Sequence, residues 1–373
     1  MRHTMINEQR LVQLFCDLVT IDSPSRSERD MADHVKSLLL DLGGQVEEDT
    51  AGQAIGGNCG NLYAQLPGQL PGEPLLLSVH LDTVEPSRGK QAMVCDGIIR
   101  SAGGTILGAD DLAGLTAILE AVRSADEQAI PRRSLEILLT VAEEQHLLGS
   151  HHLEPWRLKS REAYVLDTSG APGLAVLQAP GHIGLVFEIY GQAAHAGIAA
   201  ETGISAIRTA ALGIAAMRLG RVDDVSTANI GRIEGGGETN VVADYCRVTA
   251  ECRSLDLASL RTLADELRAA MNQAAEQTGA RVVIHEKQSY QPYQVERDHP
   301  VVSRFVSACD QLGLPVRLVA TGGGSDNNVL ALHGITGIVL SCGMSKVHSS
   351  QEEISIRDLT DTARLVKLLI CSW

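Results

Sequence analysis

Five short stretches of the chain carry side chains that could do chemistry together: His80 with Asp82, Asp110, Glu143 with Glu144, Asp167, and His348. Four of them follow a short apolar run. Leu75 to Val79 leads into His80-Leu81-Asp82, Leu135 to Val141 into Ala142-Glu143-Glu144, Tyr164 to Leu166 into Asp167, and Gly337 to Ser341 through a loop to His348. Asp110 comes from Gly108-Ala109-Asp110-Asp111, which opens an apolar stretch from Leu112 to Val122. A single acidic residue at a strand end is an ordinary solvated cap. So many carboxylates at one edge, however, repel one another and shift their own pKa values unless cations neutralise them. The set therefore points to a metal centre, and imidazole with carboxylate suits zinc, with manganese or cobalt as competitors.

Spacing adds detail. Residues two apart share a face of an extended chain, so the Asp82 carboxylate is expected to hold the second ring nitrogen of His80 and fix its tautomer. Adjacent side chains leaving a strand diverge, so of Glu143 and Glu144 one is expected to bind metal while the other faces the substrate. These residues alone do not say which does which.

The elements that must position these groups read as an α/β fold. Leu11, Phe15, Leu18 and Val19 fall at helical spacing, and Ser27 with Asp30 is expected to cap a second helix carrying Met31, Val35, Leu38 and Leu39. The apolar runs 75–79, 135–141, 163–166 and 337–341 are too short for helices and read as buried strands of a mainly parallel sheet. Ligands of such sheets bind outside the carboxyl ends of the strands, where the five stretches lie.

From residue 180 to 290 the pattern changes to strand 183–190, helix 204–220, strands 227–232 and 245–252, helix 258–279 and strand 281–286. That βαββαβ order is ferredoxin-like, and Leu260, Leu263, Leu267 and Met271 form the stripe of a helix lying on one sheet face. At 373 residues the chain exceeds what one core usually supports. The expected division is a catalytic metal-binding domain of 1–179 and 291–373, and an inserted lid domain of 180–290 that moves on a hinge.

Ser78-Val79-His80-Leu81-Asp82-Thr83-Val84, Gly108-Ala109-Asp110-Asp111-Leu112-Ala113-Gly114, Glu143-Glu144, Asp167 and Val347-His348 resemble, in order, the signature of the aminoacylase/carboxypeptidase family of dinuclear zinc hydrolases, and within it a peptidase T-like branch. The resemblance runs from about residue 8 to the end. It implies that His80 and Asp167 bind one metal, Glu144 and His348 the other, with Asp110 bridging, Glu143 the general base and Asp82 an orienting residue. Leu112 departs from the pattern, since relatives commonly carry lysine there.

The same resemblance assigns residues of the inserted domain. His195, in Gly191-Gln192-Ala193-Ala194-His195-Ala196-Gly197, otherwise reads as a surface histidine; the resemblance makes it a stabiliser of the tetrahedral oxyanion, within its own subunit or across a dimer. In the strand from Cys246 to Ser254, alternation puts Arg247, Thr249, Glu251 and Arg253 on one polar face, which could hold ordinary ion pairs. The resemblance gives Asn240 and Arg253 to substrate binding, Arg247 less so, and arginine suits a carboxylate. Gly235-Gly236-Gly237 reads as a tight turn; Gly322-Gly323-Gly324-Ser325-Asp326 resembles a substrate-side loop, making Ser325 and Asp326 contact candidates. Neither fits a phosphate-binding pattern. His146, His151 and His152 read as solvated surface.

Net charge and cysteines narrow the setting. Lys and Arg number 31 against 46 Asp and Glu, a formal charge of −15 that argues against nucleic-acid binding. Eight cysteines without a CxxC pair read as reduced thiols of a cytoplasmic protein, and neither a leader at Met1 to Glu8 nor a membrane span is evident. The resemblance implies a homodimer joined through the lid domain, and the expected activity is hydrolysis of an amide bond in a small peptide by an aminopeptidase, tripeptides first. Its alternatives are an N-acyl amino acid deacylase or carboxypeptidase with the same centre, and a non-catalytic metal-binding protein that retains the fold.

Overall fold

A computed structural model describes residues 5–372, so the leader reading at Met1 to Thr4 lies outside the described residues. The chain forms two compact units, one of residues up to Leu177 with Gln294–Ala320 and Ser325 onward, the other of Gln178–Tyr293 with Thr321–Gly324.

In the first unit the short apolar runs are the strands Leu75–His80, Leu135–Thr140, Glu162–Thr168 and Thr336–Ser341. They pair in parallel, with Leu75–His80 between Leu135–Thr140 and Glu162–Thr168, and Thr336–Ser341 beyond the latter. Antiparallel strands flank this centre, Leu62–Leu66 and then Gln45–Glu48 on one side and Leu174–Ala179 on the other. Leu75–His80 and Leu135–Thr140 are buried at every position, which explains their uninterrupted apolar character rather than an alternating one. Helix Ala109–Glu127 is likewise buried on nearly all sides, packed between the sheet and the helices Glu8–Val19 and Ile356–Ile370. Each fully buried leucine there contributes roughly 1.5–3 kcal/mol of transfer free energy. None of the described helices is long and apolar enough to cross a membrane.

The second unit is the βαββαβ arrangement. Its strands Gly181–Tyr190, Ser226–Gly235, Tyr245–Ser254 and Arg281–Tyr290 form an antiparallel sheet in which Gly181–Tyr190 lies between Tyr245–Ser254 and Arg281–Tyr290, and Ser226–Gly235 pairs with the far side of Tyr245–Ser254. Ile183, Leu185, Phe187 and Ile189 alternate onto one face against Leu260, Leu263, Leu267 and Met271 of helix Leu257–Thr278. Helix Ala206–Ala216 covers the same face and stops four residues short of the expected end, because Met217 turns extended.

The cap of the second helix differs from expectation. Helix Arg29–Asp41 starts after Glu28, with no side-chain cap from Ser27. The Glu28 carboxylate is turned instead to the backbone N–H groups of Arg26 and Ala142.

Candidate metal centre

All four parallel strands end on one edge, and each delivers its functional group there. His80 is the last residue of its strand and is 1% exposed. Its Nδ1 lies 2.9 Å from the backbone carbonyl of Asp82, and its Nε2 faces Asp110 Oδ1 at 3.1 Å and Asp167 Oδ1 at 3.9 Å. A carbonyl accepts only, so Nδ1 carries a proton, and Nε2 can offer a lone pair to the centre once its own proton, shared with Asp110, is displaced. The Asp82 carboxylate also faces Nδ1, at 3.5 Å, behind the nearer carbonyl oxygen. That carboxylate accepts from Glu143 N at 2.9 Å, Glu144 N at 3.3 Å and Ser25 Oγ at 2.6 Å, and so supports the turn that carries both glutamates.

This turn is unusual in backbone. Ala142 has φ 50° and His146 and Leu147 also stand in the left-handed region, a cost tolerated where surrounding bonds over-determine the geometry. Glu28 supplies one such bond to Ala142 N at 3.0 Å. The adjacent side chains then diverge. Glu144 Oε1 meets His348 Nε2 at 2.8 Å, and His348 Nε2 lies 3.3 Å from Asp110 Oδ2. Asp110 thus faces His80 with one oxygen and His348 with the other. Two groups of possible ligand atoms, each within 4.8 Å of one another, result: His80, Asp110 and Asp167, and Asp110, Glu144 and His348. Glu143, although 8% exposed and on the same edge, is in neither.

Charge makes the case for cations. Burial, then the charge of Asp167, pushes the Glu143 carboxyl well up, and burial with Asp110 does the same to Asp167. Burial also raises Glu144 despite its bond to His348. Burial opposes ionisation of Asp110 too, but hydrogen bonds from His348 and His80 outweigh it and hold its carboxyl low. Burial alone would keep His80 neutral; Asp110 and Asp82 more than offset this and raise it. Asp110 and Glu144 raise His348 to about 10. Protons thus stand where positive charge is required, and the donor set of two imidazoles and three carboxylates fits divalent metal ions.

A consequence is measurable. Near about pH 7 the metal-free site holds protons on both imidazoles, and a cation needs them neutral, so metal uptake expels protons and its affinity rises with pH up to the raised pKa values. Calorimetric titration of zinc in two buffers of different ionisation enthalpy should give unequal heats. Equal heats would contradict this protonation.

Comparison with known proteins fits the geometry. The sequence matches Peptidase family M28 over residues 61–209 and the Peptidase dimerisation domain over residues 178–279. It is 37% identical to the protein YqjE of Bacillus subtilis (strain 168) over 366 residues, 98% of this chain and 99% of that one. Among solved structures it is similar to aminopeptidase PepT from Bacillus cereus ATCC 10987, at 38% identity, 98% coverage of both chains and a TM-score of 0.92. A tripeptidase from Staphylococcus aureus subsp. aureus Mu50 superposes with a TM-score of 0.95, at 36% identity and again 98% of both chains. The chain belongs to the peptidase T-like metallopeptidases. It is a metal-dependent hydrolase of amide bonds, with the α/β architecture of that family.

Other residues singled out in this peptidase fall as follows. In the second unit Ala196 N donates to Asn240 O and Val242 N to Ala194 O, so the His195 loop and the Asn240 stretch are laced together. Gly197 N donates to His195 Nδ1 at 3.2 Å, leaving the proton on the exposed Nε2. Arg253 lies along Glu251 through Nε and Nη2, both at 3.2 Å, and donates from Nη1 to Gly322 O; Glu251 also meets His182 Nε2 at 3.1 Å. Arg247 is exposed opposite Glu188. Gly324 is tight, since a Cβ there would stand 2.4 Å from the Tyr290 ring. Asp326 is 1% exposed, and its carboxylate accepts from the hydroxyls of Thr140 and Ser150. Ser325 is buried at the start of its helix. His146, His151 and His152 are exposed.

Sequence reasoning missed Glu28 and Glu352, two buried carboxylates bonded to backbone N–H groups of the turns that carry candidate ligands. The one available signal for Glu352 was a helix opening on Gly108, which has no side chain to cap it.

Proposed function

We propose that the chain is an aminopeptidase of short peptides, tripeptides first, acting through two divalent cations, zinc in the first instance with manganese or cobalt able to replace it. The observation that carries this reading is the pair of ligand groups sharing Asp110, with Glu143 beside them and in neither. His80 and Asp167 would hold one cation, Glu144 and His348 the other, and Asp110 both. Cations so held polarise the amide carbonyl and lower the pKa of the attacking water.

The chain's own groups do the rest. Glu143, desolvated and so a strong base once ionised, takes the water's proton and returns it to the leaving amine. Asp82 holds Glu143 and Glu144 by their N–H groups. His195, protonated on Nε2, donates to the oxyanion. Asn240 and Arg253 bind the substrate: with three N–H groups engaged, Arg253 keeps one on each Nη for a peptide's terminal carboxylate. We further assign a homodimer, supported by the Peptidase dimerisation domain match, and a cytoplasmic setting, supported by eight free cysteines.

A substrate panel tests this reading: a tripeptide, the same tripeptide amidated at its C-terminus, a dipeptide and an N-acetyl amino acid. Release of the N-terminal residue from the free tripeptide is expected to lead. Turnover of the N-acetyl amino acid alone would replace the reading by a deacylase. Arg253→Met should raise KM for the free tripeptide by about 10- to 100-fold, the worth of charged hydrogen bonds, and leave that for the amidated one unchanged. Equal effects on both would remove Arg253 from carboxylate recognition.

A further inference from the structure

Glu352 is 1% exposed, and both its oxygens are engaged. Oε2 accepts from Leu107 N at 2.8 Å and Gly108 N at 2.7 Å, and Oε1 accepts from Asp110 N at 3.1 Å. These N–H groups open helix Ala109–Glu127, whose cap residue Gly108 has φ 80° and no side chain. Asp110 and Asp111 depart from helical geometry, so the turn does not close on itself. The first N–H groups of a helix need an outside acceptor, usually a nearby Ser, Thr, Asp or Asn. Here the acceptor stands 242 residues away from Asp110 along the chain.

Where that acceptor is rooted matters. Glu352 lies four residues beyond His348, on the return arm of the same loop. The arms Met344–Ser345 and Glu353–Ser355 pair with each other, and Glu353–Ser355 pairs in turn with Ile98–Ser101. Within the loop His348 itself is held at φ 60°. The loop that carries His348 is thus anchored on one side by a small sheet and on the other by the turn that carries Asp110.

We infer that Glu352 is a positioning residue that locks the His348 loop to the Asp110 turn and so sets the place formed by Asp110, Glu144 and His348. This rests on the two-cation reading proposed above. Residues of this kind, which touch no ion, set the orientation of those that do, and losing one typically weakens metal binding by about 10- to 100-fold. The effect should be uneven. Asp110 belongs to both groups, but on the first side His80 and Asp167 are seated on buried central strands, with His80 also held by the Asp82 carbonyl, whereas His348 depends on the loop.

The test is calorimetric titration of zinc alone into the metal-free full chain, as wild type, Glu352→Gln, Glu352→Asp and His348→Ala. Glutamine turns an amide NH2 toward at least one of the three N–H groups and leaves it unpaired. Aspartate keeps the charge but lacks the reach, and carries the test should the glutamine variant not fold. His348→Ala identifies which equivalent belongs to the His348 side. The expected result is an affinity about 10- to 100-fold weaker for that equivalent in the Glu352 variants, with the His80-side equivalent little changed. A lower melting temperature with both affinities unchanged would reduce Glu352 to a structural cap and overturn the inference, as would equal loss at both. A wild type that takes up fewer than two equivalents would fail the two-cation reading itself, and this inference with it.

Discussion

Glu143→Ala is expected to lower kcat by about 10²- to 10⁴-fold, the range supplied by a general base, while the protein still takes up both cations. The reason is positional. Glu143 stands on the same turn as Glu144 yet outside both candidate ligand groups, so on the proposed roles its removal would take away proton transfer and no metal bond. Steady-state kinetics on a tripeptide together with metal analysis of the purified variant check the two halves separately. Metal loss in this variant would mean that the roles of Glu143 and Glu144 are reversed. A conservative Glu143→Gln should behave like alanine in rate, because it keeps the shape and loses the base.

His348→Ala is expected to remove one of two equivalents of bound metal and to abolish hydrolysis. His348 Nε2 is the contact between Glu144 and Asp110, at 2.8 and 3.3 Å, and His348 is the one imidazole of the second ligand group among the described residues. Since disturbing a residue behind a ligand already weakens binding by about 10- to 100-fold, removal of the ligand itself should cost more than about 100-fold. Metal content by mass spectrometry of the native protein reads this directly. A variant that retained two equivalents would sink the assignment. The raised pKa of His348, caused by Asp110 and Glu144, adds a control: the alanine variant should release fewer protons on metal uptake than the wild type.

The parts of this site that were legible in the sequence are those set by strand ends. An apolar run that stops at His80, Glu143, Asp167 or, through a loop, His348 announces both a buried parallel strand and what its end presents. The βαββαβ unit was legible for the same reason, since alternation in Ile183, Leu185, Phe187 and Ile189 and the stripe from Leu260 to Met271 are local patterns. What escaped depends on contacts distant along the chain. Asp82 sits two residues from His80, and its carboxylate does face Nδ1 at 3.5 Å, but the nearer partner is its carbonyl, and the same carboxylate also holds a turn 61 residues away. Asp326 reads as a contact candidate beside three glycines, and the folded chain turns its carboxylate to the buried hydroxyls of Thr140 and Ser150. Glu352 sits in a Gln351-Glu352-Glu353 run with no pattern that marks either glutamate, and the folded chain turns Glu352 inward.

Release of the N-terminal residue from a free tripeptide, followed by chromatography of the products with and without chelator and then with zinc restored, tests the central claim most directly. The account predicts a free N-terminal amino acid and the remaining dipeptide, loss of activity on chelation and recovery with metal. Cleavage that persists in the fully metal-free protein, or release of the C-terminal residue instead, would contradict it.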